Sequence, residues 1–276
     1  MYTSFYGMST NPFLKDESSK YPFESEDYLE TINRFKFLTD VKGIGLFIGS
    51  CGLGKTYTIR SFINSLNNDL YKIIYINPTS RLKVFDFYKL ICDELCIDVG
   101  NCYRSDITFN IQNELIRLVN QDRINPIIII DDAHLLSREV LFNLKVLYDF
   151  EMDSKNYVTL ILVGLPKIKD EISKDIHSSL NQRIIVNYSF NGLSKSEVKD
   201  YIKSRLELSN SNKDIFEENA LLSLYACCKS SPRRLNTLVI NSLMLGFQAN
   251  KSIIDAETIM YAKKEMDLKW TYKRLF

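Results

Sequence analysis

The sequence predicts an α/β domain with a parallel sheet sandwiched by helices, followed by a small all-helical domain. Short apolar runs alternate with segments of helical spacing over residues 27–190, and this alternation is typical of right-handed βαβ units. The run from Ile127 to Ile130 contains four consecutive isoleucines, which suits a strand buried on both faces. After Phe190 the strand patterns stop and only helical spacing continues, so we place the domain boundary at residues 190–193.

The individual elements follow in chain order. Residues 1–26 contain aromatic, proline and serine residues without a clear period, which predicts an irregular arm. In the α/β core, residues 27–192, we predict strands over 44–48, 72–76, 127–130, 157–163 and 183–188. We predict helices over 27–40, 55–66, 81–97, 107–120 and 167–180, and one more between the strands over 127–130 and 157–163. Ser194 and Glu197 have the spacing of a capping box at a helix start. The helical domain, residues 193–267, is predicted to contain helices over 194–208, 212–229, 233–249 and 255–267, and a basic, aromatic tail follows over 268–276.

Composition and charge exclude several classes of protein. The chain has 276 residues, room for about two domains of the usual ~150 residues. Hydrophobic residues make up 45% and charged residues 25%, which excludes a collagen-like or wholly disordered chain. The 35 basic and 34 acidic residues leave a net charge of +1, so no overall field attracts nucleic acid or membrane. A polyanionic partner would therefore be held by a local patch.

The cysteines and the apolar runs indicate the compartment. There are six cysteines without a C-x-x-C pair and two histidines, so we expect no zinc site and interpret the cysteines as small buried hydrophobes in a reducing compartment. No signal peptide opens the sequence, and no apolar run approaches the ~20 residues that a membrane span needs. We expect a cytoplasmic protein with no membrane partner.

The segment between the first predicted strand and the next helix carries a phosphate-binding pattern. It fits G-x-x-x-x-G-K-[ST], with the residues Gly49-Ser50-Cys51-Gly52-Leu53-Gly54-Lys55-Thr56. Glycines let backbone N–H groups approach phosphate oxygens at the positive end of a helix. We expect Lys55 to reach the β- and γ-phosphates, Thr56 to ligate Mg²⁺, and the adjacent Tyr57 to belong to the same site. A glycine-rich turn is the alternative, but pattern and context together favour a nucleoside triphosphate site.

A pair of acids follows the isoleucine run. Asp131 and Asp132 stand at the end of a predicted buried strand, where a P-loop protein needs a carboxylate near Mg²⁺. We assign Asp131 to the metal side and Asp132 to polarising the attacking water. Without the P-loop, the same pattern would indicate a strand followed by a solvated turn.

Two arginine positions complete the candidate site. Arg183 stands at the start of the last predicted strand; it is either a solvated cation or an arginine finger that offsets transition-state charge at a neighbouring subunit's γ-phosphate. Pro232, Arg233 and Arg234 open a helix of the helical domain. Cations at a helix N-terminus oppose the helix dipole, which favours a bound anion, such as a nucleotide phosphate at Arg233.

Together, the P-loop, the acidic strand end, Arg183 and the Pro-Arg pair resemble the AAA+ ATPases. Within these, the chain resembles the ExeA-like group, which grades into the TniB- and TnsC-type transposition ATPases. The resemblance spans about residues 1–265 and includes four further segments, namely Phe5-Tyr6-Gly7-Met8 with Asn11-Pro12-Phe13, Val163-Gly164-Leu165-Pro166-Lys167-Ile168, Asn181-Gln182-Arg183-Ile184 and Ser231-Pro232-Arg233-Arg234-Leu235-Asn236. It implies ATP and Mg²⁺ bound between an AAA+ core and a helical lid, and assembly into a homo-oligomeric ring or filament with each site at a subunit interface.

The sequence departs from the group's pattern at three points. Asp132 replaces the usual glutamate in Asp131-Asp132-Ala133-His134; its side chain is one methylene shorter, so we expect slow hydrolysis. Leu165 replaces the polar sensor-1 residue and cannot hydrogen-bond a γ-phosphate through its side chain. The secretion protein that names the group carries a membrane span and a cell-wall-binding domain after its ATPase core, and the sequence up to Phe276 contains neither. We therefore expect a transposition-type member.

Candidate DNA contacts are less specific than the nucleotide motifs. Basic and aromatic residues near the C-terminus could touch phosphates or a partner, or belong to a solvated last helix, namely Lys263, Lys264, Lys269, Trp270, Tyr272, Lys273 and Arg274. Arg81 and Lys83 follow the second strand, a region that faces DNA in transposition ATPases, or else are solvated cations. We interpret His134 and His177 as structural, with a link from His134 to DNA or a neighbour as the second interpretation.

The function implied by this resemblance is ATP-dependent regulation of DNA transposition. We expect the ATP-bound chain to oligomerise on duplex DNA and recruit a transposase, with hydrolysis driving disassembly. The alternatives are a secretion or envelope-assembly ATPase and a replication or signalling nucleotide switch, each acting through protein partners.

Overall fold

The computed structural model describes residues 1–15, 21–80, 82–99, 104–151, 154–211 and 214–267. The chain forms two compact units. The α/β unit contains Leu29–Cys51 and Lys55–Phe190, and the helical unit contains Met1–Tyr28, Gly52–Gly54 and the described residues from Asn191 onward.

The helices of the described residues follow one another along the chain. In order they are α1 (Tyr2–Phe5), α2 (Glu26–Val41), α3 (Lys55–Ser65), α4 (Val84–Leu95), α5 (Arg104–Arg117, continued by a π-helical turn over Leu118–Asp122), α6 (Arg138–Leu147), α7 (Lys167–Ile172), α8 (Ser178–Arg183), α9 (Lys195–Leu208), α10 (Glu218–Cys228), α11 (Pro232–Gln248) and α12 (Ala256–Asp267). None of them combines the length and the apolar character needed to cross a bilayer.

The α/β unit is built on a parallel sheet. Its strands are β1 (Ile44–Ile48), β2 (Tyr71–Ile76), β3 (Asn125–Ile130), β4 (Thr159–Gly164) and β5 (Ile184–Ser189), in the spatial order β2-β3-β4-β1-β5. All neighbouring pairs are parallel. Every residue of β1 and β4 is buried, and so are the four isoleucines of β3. Continuous apolar strands therefore form the middle of the sheet, as the isoleucine run predicts.

One predicted helix of the α/β unit is interrupted. The helix predicted over 167–180 is divided into α7, a 3-10 turn over Asp175–His177, and α8, because Lys174 adopts an extended conformation (ψ 147°). Ile172 and His177 are both buried. Residues five apart point in different directions on a continuous helix, so the break at Lys174 lets both side chains enter the core.

The first residues, predicted as an irregular arm, belong to the helical unit. Tyr6, Met8 and Phe13 are buried in its core, and the Tyr6 hydroxyl donates to the Lys251 carbonyl at 2.9 Å. The backbone N–H of Ser9 donates to the Ser209 carbonyl at 2.9 Å. The aromatic residues of the segment predicted as an arm supply apolar surface that the small helical core buries.

The other helices of this unit agree with the sequence except at one start. Ser194 forms the predicted capping box with Glu197. The helix predicted over 212–229 begins only at Glu218, because Phe216 pairs with Ile254 in a short parallel bridge.

The cysteines differ in exposure. Among the described residues Cys92, Cys227 and Cys228 are buried, as we expected, whereas Cys51 and Cys96 are exposed. The interpretation as buried hydrophobes is wrong for these two, since Cys51 lies in the P-loop turn and Cys96 is the left-handed residue that ends α4. Cys102 lies outside the described residues.

Candidate nucleotide-binding site

The P-loop connects β1 to α3 with the backbone that its glycines predict. The N–H of Gly49 donates to the Gly164 carbonyl at 3.1 Å, which holds the start of the loop beside β4. Gly52 and Gly54 have φ values of +82° and +94°, which L-residues with a side chain rarely adopt. A Cβ at Gly54 would have no other atom within 4 Å, so the backbone borders open space there. Such a cradle fits a phosphate group.

Lys55 lies inside this loop. Lys55 is only 8% exposed, and its Nζ donates to the carbonyls of Gly49 and Ser50, each at 2.8 Å. A buried ammonium needs such partners. A phosphate oxygen would accept a stronger, charge-assisted hydrogen bond than a neutral carbonyl does. Tyr57, two residues further along α3, is half-buried.

Three side chains from different elements meet at the end of β3. The Thr56 hydroxyl donates to Asp131 Oδ2 at 2.7 Å, and the Tyr75 hydroxyl donates to the same oxygen at 3.2 Å. Asp131 is 2% exposed, and its other oxygen, Oδ1, accepts from the backbone N–H of Asp132 at 2.9 Å. A hydroxyl and a carboxylate in direct contact offer the hard oxygen ligands that Mg²⁺ prefers, so these residues fit the metal.

Tyr75 is a member of this group that the sequence analysis missed. It lies in β2 opposite Ile129 of β3, near the carboxyl ends of both strands. Burial, followed by the Asp131 carboxylate, raises the pKa of Tyr75 to about 12, so its phenol keeps its proton and donates at neutral pH. The available signal was a tyrosine near the end of the strand that precedes the acidic strand along the chain.

Asp132 and His134 follow Asp131 in the turn after β3. Asp132 has a left-handed backbone, and its side chain is 45% exposed. The Nδ1 atom of His134 lies 3.7 Å from Asp132 Oδ1 and accepts the backbone N–H of Leu165 at 3.4 Å. Burial, followed by the charge of Lys167, lowers the pKa of His134. The imidazole is therefore neutral at pH 7, and its contact with Asp132 is not an ion pair.

In the helical unit, the start of α11 holds Gly52. The Ser231 hydroxyl donates to the Gly52 carbonyl at 3.2 Å, and the N–H of Arg233 donates to the same oxygen at 3.4 Å. A Cβ at Gly52 would lie 2.7 Å from Ser231 Oγ and 2.9 Å from Arg233 Cβ. Arg233, an exposed residue, thus lies beside one of the P-loop glycines, and Leu53 lies beside Gly192 of the same unit. Ser231 is a second residue that sequence reasoning missed.

Arg183 and the start of the P-loop lie at opposite ends of the sheet's strands. Residues 44 and 184 are paired in the sheet, so Arg183 stands at the amino end of β5 beside the amino end of β1, whereas Gly49 follows the carboxyl end of β1. Its side chain is 18% exposed, donates to the Lys145 carbonyl at 3.5 Å and lies 3.8 Å from an Asp149 carboxylate oxygen. The structure therefore does not bring Arg183 together with Thr56 and Asp131 of its own chain.

Most candidate DNA contacts fall outside the described residues. These are Arg81, Lys269, Trp270, Tyr272, Lys273 and Arg274. Lys83 directly precedes α4, and Lys263 and Lys264 lie on α12. His177 is buried in the α/β unit.

Parts of the chain are similar in sequence to known proteins. Residues 39–172 match a family described as an AAA domain. General secretion pathway protein A of Aeromonas hydrophila is 29% identical over 249 residues, which are 90% of this chain and 45% of that protein. The chain thus spans less than half the length of this relative.

Solved structures show the fold. Cdc6p from Pyrobaculum aerophilum superposes with a TM-score of 0.66 at 15% identity, covering 95% of this chain and 70% of that one. The Aeropyrum pernix Orc1 protein in complex with DNA gives 0.63 at 18% identity, covering 92% and 68%. The Thermotoga maritima RuvB Holliday junction branch migration motor gives 0.56 at 16%, covering 96% and 74%. The predicted fold class is confirmed, since the parallel five-stranded sheet with flanking helices superposes on Cdc6p and Orc1, and residues 39–172 are similar to an AAA domain.

Proposed function

We propose that this AAA+ chain binds ATP with Mg²⁺ at its P-loop, oligomerises on duplex DNA in the ATP-bound form and recruits or activates a transposase, with hydrolysis driving disassembly. The observation that carries the nucleotide part is the contact between Thr56 and Asp131, which joins the P-loop helix to the acidic strand end at 2.7 Å. Two hard oxygen ligands in contact beside a glycine cradle suit a magnesium-bound triphosphate.

The residues divide the work of nucleotide binding and hydrolysis. P-loop N–H groups and Lys55 hold the phosphates, and Thr56 and Asp131 hold Mg²⁺. When bound, Mg²⁺ supplies positive charge that neutralises the phosphate oxygens. Asp132, exposed at the turn, orients a water molecule and accepts its proton. Because its carboxylate is one methylene shorter than that of glutamate, turnover is slow.

The position of Arg183 supports a homo-oligomeric assembly. Arg183 lies at the amino end of β5, whereas the P-loop follows the carboxyl end of β1. A side chain at the amino ends of the strands contacts the γ-phosphate of a neighbouring subunit more directly than that of its own. Its positive charge offsets the charge of the transition state there. The Arg183→Ala variant is therefore expected to bind ATP normally and to lose ATP-dependent assembly. Light scattering after gel filtration with ATP measures this, and normal assembly would rule out the finger.

The DNA and transposase parts rest on resemblance. The segments around Leu165, Arg183 and Arg233 resemble those of the ExeA-like group, which grades into the transposition ATPases. A solved protein of the same fold, Orc1 of Aeropyrum pernix, is described in complex with DNA, and another, RuvB of Thermotoga maritima, as a branch migration motor on Holliday junctions. Lys83, Lys263 and Lys264 are candidate phosphate contacts among the described residues.

A second candidate is an ATPase that acts through protein partners in secretion or envelope assembly. The 29% identity to General secretion pathway protein A favours it. A replication or signalling nucleotide switch that works through protein partners is the remaining alternative. All three functions use the same nucleotide site, so they differ in what the ATP-bound form binds.

Binding to DNA separates these candidates. The experiment measures the fluorescence anisotropy of a labelled random-sequence duplex with ATP, with ADP and without nucleotide, over a series of salt concentrations. Cooperative binding that requires ATP and weakens with salt supports the DNA-coating function. If DNA does not bind with ATP, with ADP or without nucleotide, the DNA-coating function is contradicted. An ATPase that acts through protein partners is then favoured, because both candidate functions use the same nucleotide site.

A further inference from the structure

The end of β4 has a backbone donor where the sequence lacks a polar side chain. Leu165 follows β4 directly, and its side chain cannot bind a phosphate. Its backbone N–H, however, donates to Nδ1 of His134 at 3.4 Å. The residue before it, Gly164, permits the close approach, because a Cβ there would lie 3.1 Å from the His134 backbone nitrogen. The imidazole therefore packs against the carboxyl end of β4.

The contact with Leu165 fixes which nitrogen of His134 carries the proton. An Nδ1 that accepts a hydrogen bond has no proton, so in the neutral ring the proton is on Nε2. The His134 side chain is 8% exposed, and within the described part of the chain its hydrogen bond is made by Nδ1, not by Nε2. The ring therefore presents one oriented N–H donor that the protein does not use.

The charges around His134 are those of the phosphate end of the site. Burial, followed by the charge of Lys167, lowers the pKa of His134, and Lys55 and Asp131 are among the further charges that act on it. The Gly164 carbonyl accepts the N–H of Gly49 at 3.1 Å, so the start of the P-loop and the His134 ring lie beside the same residue of β4. A donor oriented by a buried contact loses little freedom when it binds an anion.

We propose that Nε2–H of His134 donates to the γ-phosphate of bound ATP and makes the site prefer ATP over ADP, so that this histidine provides the contact that the Leu165 side chain cannot make. The inference rests on the proposed ATP site and adds to it the residue that distinguishes triphosphate from diphosphate. A γ-phosphate oxygen carries charge that ADP lacks at that position. The contact therefore strengthens the binding of one nucleotide alone.

A matched pair of substitutions tests this contact. His134→Phe keeps a planar ring of similar size without the N–H, and His134→Gln keeps an acceptor for Leu165 and an N–H donor. Calorimetric titration with MgATP and with MgADP gives both affinities for each variant, and thermal unfolding shows that each one folds. We expect His134→Phe to lose about tenfold or more in ATP affinity with ADP affinity unchanged, since a hydrogen bond to a charged group is worth about 1.5–3 kcal/mol. His134→Gln keeps most of the preference for ATP.

Each other outcome contradicts the inference in a recognisable way. If His134→Phe and His134→Gln show the same ratio of ATP to ADP affinity, the N–H does not contact the γ-phosphate. If one variant loses affinity for both nucleotides equally, His134 is a structural residue. If the wild-type chain binds neither nucleotide, the proposed function fails as well, and this result is distinct from an unchanged ratio. Should His134→Phe not fold, the ratio for His134→Gln against a His134→Leu variant decides the same point.

Discussion

The two units of this chain use different chemistry at the P-loop. In the α/β unit the contacts are made by side chains: Lys55 donates to two carbonyls, and Thr56 and Tyr75 donate to Asp131. In the helical unit they centre on the backbone carbonyl of Gly52, which accepts from Ser231 and from the N–H of Arg233.

This difference separates binding chemistry from loop geometry. Charged and hydroxyl groups in the α/β unit are the ones that a magnesium-bound triphosphate would engage. The contacts of Gly52 hold a backbone conformation and would be present with or without a ligand. Substitutions in the first group should change ligand affinity, and substitutions in the second should change stability.

The largest effect is expected at Lys55. The Lys55→Ala variant removes the buried ammonium that we assign to the phosphates, so ATP affinity should fall by about 100-fold or more, the loss of more than one charge-assisted hydrogen bond. Calorimetric titration with MgATP measures it. Lys36→Ala, which removes an exposed lysine of α2, is the matched control and should bind like wild type. Equal affinity of the two variants would contradict the role of Lys55.

A smaller effect, on stability, distinguishes the two P-loop glycines. Gly52→Ala forces a Cβ into positive φ and against Ser231 and Arg233, so the free energy of unfolding should fall by about 2 kcal/mol or more. Gly54→Ala has the same backbone strain but open space, so about 1 kcal/mol is expected. Thermal unfolding without nucleotide measures both. Equal losses would mean that the contacts of Gly52 with the start of α11 contribute nothing.

The smallest effect is expected at Tyr75. Tyr75→Phe removes one donor to Asp131 while Thr56 and the Asp132 N–H keep theirs, so the carboxylate is held less firmly. The Mg²⁺ concentration that supports half-maximal ATP binding should rise about threefold, the effect of a weak hydrogen bond. Tyr71→Phe, at the start of the same strand, is the control and should leave the Mg²⁺ requirement unchanged. A Tyr75→Phe variant with the wild-type requirement would show that the contact is incidental.

The parts of the fold that the sequence predicted well are those with a strong repeating pattern. Isoleucine runs identified β3, and the P-loop pattern located the turn between β1 and α3. Two features escaped because their causes lie in tertiary packing. The break at Lys174 lets Ile172 and His177 both enter the core, and the first residues pack into the helical unit through Tyr6 and its contact with Lys251.

The candidate site shows the same division. Patterns within a short segment pointed to Lys55, Thr56 and Asp131, and the structure brings the last two into contact. Tyr75 and Ser231 could not be inferred from local patterns, because their contacts depend on strand register and on which carbonyl faces the start of α11. Their partners are distant in sequence, so only the folded chain reveals them. The roles of all the predicted site residues, including Asp132, Arg183 and Arg233, stay predictions.

The most direct test of the central claim is a calorimetric titration of the wild-type chain with ATP, once with Mg²⁺ and once with EDTA. The contact between Thr56 and Asp131 predicts one site per chain whose ATP affinity is at least about tenfold higher with Mg²⁺. Absence of ATP binding, or binding of equal strength without Mg²⁺, would contradict a magnesium-nucleotide site at the end of β3.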